Sequence, residues 1–143
     1  MTDGELWFQP DGAVLRDVRA KVRELAAGMG AASSICDTLA LVVDELVNNA
    51  IEHGASYRKG GVDLGVKLRP DGDSFVIEFF DPEMPPEIVA ELADALANTA
   101  SGMPSLDSER GRGLFLLTVY LEGLHAAPAA RGGICLSGRV QVQ

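Results

Sequence analysis

Asp44-Glu45-Leu46-Val47-Asn48-Asn49-Ala50-Ile51-Glu52-His53-Gly54 is the stretch whose reading decides the fold. Glu45, Asn49 and His53 recur every fourth residue, so on a helix they lie roughly above one another. Asn48 and Glu52 flank that line, while Leu39, Val42, Val43, Leu46, Val47, Ala50 and Ile51 cover the opposite side. The spacing predicts a helix over 34–53, capped by Ser33-Ser34 and stopped by Gly54. Such a helix offers one face to a core and one polar edge to solvent or to chemistry.

Upstream of it, Leu6-Trp7-Phe8 reads as an edge strand ended by the turn Pro10-Asp11-Gly12. A first helix is predicted from Ala13 to Met29, with Val14, Leu15, Val18, Val22, Leu25 and Ala26 at helical spacing. Arg16, Arg19, Lys21 and Arg23 are interleaved with them, which makes this the most basic segment of the chain. Its basic face is either solvated or a docking face through Arg16, Arg19 and Arg23.

Downstream, 55–61 is a loop and Val62 to Leu68 alternates at the strand period. Pro70-Asp71-Gly72-Asp73 reads as a turn, and Phe75 to Phe80 as the second strand of an antiparallel hairpin. The break Asp81-Pro82-Glu83-Met84-Pro85-Pro86 precedes a helix over 86–97 with the stripe Ile88, Val89, Leu92 and Leu96. Residues 98–112 form a long aperiodic loop, of the kind that covers sites. Residues 113–121 are predicted as a buried apolar helix, and 125–130 with 133–143 as a last hairpin. The sum is a single α+β domain over 1–143: a two-layer sandwich, its mixed, mostly antiparallel sheet covered on one face by helices.

A chain of 143 residues with 47% apolar content can bury a real core. Its net charge of −9 argues against nucleic acid as partner, since phosphate backbones are bound through Lys and Arg. Cys36 and Cys135 are expected to be buried free thiols, and neither histidine stands at metal-ligand spacing from them. Met1 to Glu5 carries no signal-peptide pattern, and no apolar run reaches membrane-spanning length. A cytoplasmic protein with no membrane partner is the expectation.

Three constellations carry chemistry. A carboxylate and a carboxamide one helical turn apart, Glu45 and Asn49, can divide labour as general base and ligand of a hard cation such as Mg2+; the alternative is a plain solvated edge. Asp81, at a strand end, can accept from the exocyclic amine of an adenine, or can simply start an Asx-turn before Pro82. In Glu109-Arg110-Gly111-Arg112-Gly113-Leu114, the glycines and the following helix start suit phosphate, with Arg110 and Arg112 to neutralise it. A hinge with a helix cap is the alternative there.

Taken in order, these segments resemble the Bergerat-type ATP-binding fold shared by gyrase, histidine kinases and MutL. Within it, Glu45-Leu46-Val47-Asn48-Asn49-Ala50-Ile51-Glu52-His53-Gly54 with Gly111-Arg112-Gly113-Leu114 is similar to the anti-sigma-factor serine kinases of bacterial partner switching. The resemblance spans essentially the whole chain. It implies ATP and Mg2+ as cofactors, Glu45 as the base for transfer to a protein serine, and Asn49 as the Mg2+ ligand. Asp81 would read the adenine, residues 98–110 would form the lid, and His53, Arg110, Gly111, Arg112, Gly113 and Leu114 would complete the nucleotide site. The implied partners are a STAS-domain antagonist as phosphoacceptor, a sigma factor or other regulator, and a second copy in a homodimer. A partner-switching module that binds nucleotide with weak or no catalysis is the alternative function.

One departure stands out. The family pattern after the aspartate is Asp-x-Gly, whereas position 83 is Glu. A side chain there is expected to push the backbone from the base or to demand an unfavourable φ, and so to weaken ATP binding.

Overall fold

Burial alternates along the strands and assigns one face of the sheet to the core. The computed structural model describes residues 4–72, 74–98, 114 and 117–141. Among them, β1 (Gly4–Phe8), β2 (Leu64–Asp71), β3 (Ser74–Asp81), β4 (Glu122–Pro128) and β5 (Ile134–Gln141) form one open sheet, ordered β1-β2-β3-β5-β4. Every pairing is antiparallel. Also among the described residues are the helices α1 (Leu15–Gly28), α2 (Ser33–Gly54) and α3 (Pro86–Asn98), which with the sheet make an α+β fold.

The inward residues of β3, Phe75, Ile77 and Phe79, join those of β2 and β5 in one apolar core with the helices. The outward face is partly wet: Trp7 stacks on Phe80 at 5.8 Å between ring centroids. It lies over Gly65, where a Cβ would collide with the indole. Because β3 alternates, Asp81 falls on the inward side, two residues beyond Phe79. Strand parity is thus what turns its carboxylate toward the helices.

Helix α2 is buried on two sides, with Leu39, Val43, Leu46 and Val47 almost without exposure. Each such side chain contributes roughly 1.5–3 kcal/mol relative to exposure. That broad apolar face packs against both α1 and the sheet, leaving only the Glu45 edge outside.

Several boundaries differ from expectation. Ser33 is already helical, the N-cap is Ala32 in an extended conformation, and no side chain caps the helix. The first helical segment opens with a 3-10 turn, Gly12–Val14, in which Asp11 accepts from the Ala13 amide at 3.0 Å. Strand β2 starts at Leu64 and runs on through Pro70, because Asp71 pairs with Ser74 across a tight reversal. Of the predicted helix over 113–121, Leu114 is helical, Leu117–Val119 is a 3-10 turn, and β4 begins at Glu122. Leu114, Leu117 and Leu121 are buried, but Val119 and Tyr120 are 76% and 43% exposed. The β-branched pair Thr118-Val119 weakens helix there, and pairing of Glu122 with Arg139 claims the chain for the sheet. Cys36 is buried and Cys135 half-buried, both as free thiols.

Candidate functional site

The polar edge of α2 opens on a cavity of about 250 Å³ lined by Glu45, Asn48, Asn49, Glu52, His53, Leu114 and Leu117. Glu45 is exposed, and Asn49 and His53 are half-buried. The predicted line of three is therefore brought together, and Leu114 joins it from across the chain. Behind the line, Asn48 donates to Asp44 at 3.3 Å, and Asp44 pairs with Arg19 at 2.7 Å. The donors here are carboxylate and carboxamide oxygens, which suit a hard cation such as Mg2+. Among the described residues no group of three or more His, Cys, Asp and Glu side chains is placed to hold a metal.

Asp81 lies outside that cavity's lining and has no solvent exposure. Its carboxylate is already occupied. Arg58 donates through Nη1 to Oδ1 at 3.0 Å and through Nη2 to Oδ2 at 2.9 Å, a two-pronged fork. The Tyr57 hydroxyl donates to Oδ2 at 2.8 Å, and the Glu83 amide to Oδ1 at 3.3 Å. Arg58 Nη2 also donates to the carbonyl of Ala50 at 3.0 Å, so the guanidinium sits between the last turn of α2 and the end of β3. It can pass there because Gly54 has no side chain: a Cβ would meet both Nη2 and the Tyr57 hydroxyl. Hydrogen bonding to Asp81 is the largest cause raising the Arg58 pKa above its ordinary value, outweighing the opposing effect of burial.

Glu83 belongs to the same cluster. Its Oε2 accepts from the Lys59 amide at 2.8 Å, and its Oε1 stands 3.6 Å from Arg58 Nη1. No non-glycine residue among those described takes a positive φ, so the glutamate fits this turn without the strain expected of it. Its charge is met by Arg58. On the other side Gly133, at φ +73, packs so close to the Asp81 carbonyl and Pro82 that a Cβ would clash.

Arg110, Gly111, Arg112 and Gly113, along with most of the predicted lid, lie outside the described residues. On α1, Arg19 is paired with Asp44 and Arg23 with Asp37 at 3.2 Å, so much of the supposed docking charge is spent on α2. A larger concavity of about 480 Å³ lies on the outward side of the sheet around Trp7 and Phe80. Its carboxylates are engaged: Glu5 accepts from Trp7 and Asp63 from Gln9. Among the described residues its lining holds no carboxylate–carboxamide pair.

Sequence reasoning missed Tyr57 and Arg58. The signal was present: two carboxylates at 81 and 83, with no glycine between them, call for a cation, and Arg58 stands in the loop just beyond α2.

No curated relative matches the sequence. In fold, the chain is similar to a chain of the crystal structure of the SiaB–SiaC complex from Pseudomonas aeruginosa, with a TM-score of 0.63 at 19% identity, over 96% of this chain and 88% of that one. The profile of the histidine kinase-like ATPase domain matches residues 8–132, which takes in α2, the hairpin β2–β3, α3 and β4. The chain belongs to the histidine kinase-like ATPase domain family, whose members are nucleotide-binding domains.

Proposed function

We propose that the chain is an ATP-dependent serine kinase of a partner-switching system, transferring phosphate to a STAS-domain antagonist and sequestering a sigma factor or equivalent regulator. The observation that carries this reading is the placement of Glu45, Asn49 and His53 around one cavity on α2, in a domain of this family. The fold it shares with a chain crystallised in the SiaB–SiaC complex supports a protein partner. When bound, Mg-ATP supplies the phosphoryl group to be transferred. Asn49 would hold the Mg2+ through its carboxamide oxygen, and His53 would flank the nucleotide. Glu45, exposed at the cavity edge, is open to an incoming serine hydroxyl and can take its proton. Such transfer needs positioning and charge neutralisation more than covalent chemistry, and this sparse site suits it. Arg110, Gly111, Arg112, Gly113 and Leu114 would meet the phosphates, and Asp81 the base. A cytoplasmic homodimer is the expected working form; among the described residues no helix is long and apolar enough to cross a membrane.

Transfer of labelled phosphate from Mg-ATP to the cognate antagonist tests the proposal. Wild type should phosphorylate a serine, and Glu45→Ala should lose transfer while retaining nucleotide. Undiminished transfer by Glu45→Ala would remove Glu45 from the role of base. A second reading, a binding module without effective catalysis, draws on the Arg58 fork that fills the place of Asp81's ligand. It predicts regulator binding with no phosphate transfer at all.

A further inference from the structure

We propose that Arg58 gates the base end of the nucleotide site, holding Asp81 until an entering base displaces it. The inference rests on the reading that Asp81 meets the nucleobase. Two carboxylate oxygens offer about four acceptor positions. Here four donors occupy them: both Arg58 Nη groups, the Tyr57 hydroxyl and the Glu83 amide. An exocyclic amine has no acceptor left on Asp81 while the fork stands.

The guanidinium is also an obstacle in space. Bonded to Ala50 on one side and Asp81 on the other, it fills the gap between α2 and β3. The cavity beside Glu45 and Asn49 stops short of it, at about 250 Å³. Small-molecule sites run to roughly 300–1,000 Å³, so opening the base end would bring this cavity into their range.

Among the described residues Arg58 Nε and Glu83 Oε1 are buried with no hydrogen-bond partner, although Oε1 stands within ion-pair reach of Arg58 Nη1. Both side chains are only 10% exposed. Unmet buried donors and acceptors raise the energy of the closed state relative to one in which they are solvated. Tyr57 and Lys59 flank Arg58 in sequence and hold Asp81 and Glu83 by hydrogen bonds of their own. The apparent affinity is the intrinsic affinity scaled down by the fraction of molecules with the gate open.

Calorimetric titration of Mg-ATP into wild type, Arg58→Gln and the double variant Arg58→Met/Asp81→Leu tests the gate. The double variant removes the Arg58–Asp81 pair together but leaves Glu83 without its counter-charge, so urea denaturation first establishes that it folds. The expected result is binding about tenfold or more tighter for Arg58→Gln than for wild type, with that gain absent from the double variant. Equal or weaker binding by Arg58→Gln, with the double variant weaker still, overturns the gate and leaves Asp81 as the base reader. Equally tight binding by Arg58→Gln and the double variant overturns both. Should Arg58→Gln fail to fold, side-chain NMR of the unmutated protein decides: the Arg58 guanidinium resonances should shift as ATP saturates, and unchanged resonances at saturation overturn the gate.

Discussion

On the rim of α2 Glu45 is exposed and Asn49 half-buried; at the end of β3, Asp81 is sealed from solvent beneath four donors. Both ends carry carboxylates, but they have opposite physical roles. A carboxylate on the rim keeps its hydration and its freedom to meet a substrate, and contributes little to the fold. A buried one must be compensated inside the protein, so it becomes part of the structure and is blocked as a ligand until its partner leaves. The exposed carboxylate is open and the buried one is closed by the chain itself; in the proposed function these are the groups that would meet the serine and the base.

Mutations should separate the two ends, and the largest effect belongs to the closed one. Arg58→Ala strands Asp81 as an uncompensated buried charge and should cost about 3–5 kcal/mol in urea denaturation. Tyr57→Phe removes one hydrogen bond to the same carboxylate and should cost about 1.5–3 kcal/mol by the same measurement. The fork should be insensitive to alkaline pH: a guanidinium whose folded pKa is raised contributes fully below its ordinary value, and that contribution is lost only as pH climbs beyond it. Between the ends, Arg19 and Asp44 form a pair whose side chains are 36% and 20% exposed. A double-mutant cycle should return a coupling of about 0.2–1 kcal/mol. At the open end, Glu45→Ala should change stability by no more than about 0.5 kcal/mol while abolishing phosphate transfer. A stability loss there as large as that of Arg58→Ala would erase the contrast.

The open end was the legible one. Its side chains share a helix whose apolar period is unbroken from Leu39 to Ile51, so spacing alone placed Glu45, Asn49 and His53 on one edge. The alternation of β3 likewise carries Asp81 inward once Phe75 and Phe79 are assigned to the core. What closes on Asp81 could not be read the same way. Arg58 lies in an aperiodic loop and reaches its partner across 23 residues of sequence, a contact that no local pattern encodes. Position 83 was therefore read as a missing glycine, whereas the glutamate is one half of a compensated charge. Chain order obscured less than charge did: the arginines of α1 looked like a docking face because their partners, Asp37 and Asp44, stand on the next helix.

We propose the rim of α2 as the Mg-nucleotide wall, and calorimetry of Mg-ATP against wild type and Asn49→Ala tests that most directly. Wild type should bind, and Asn49→Ala should lose binding while unfolding at the same urea concentration. Unchanged Mg-ATP affinity in Asn49→Ala would contradict it.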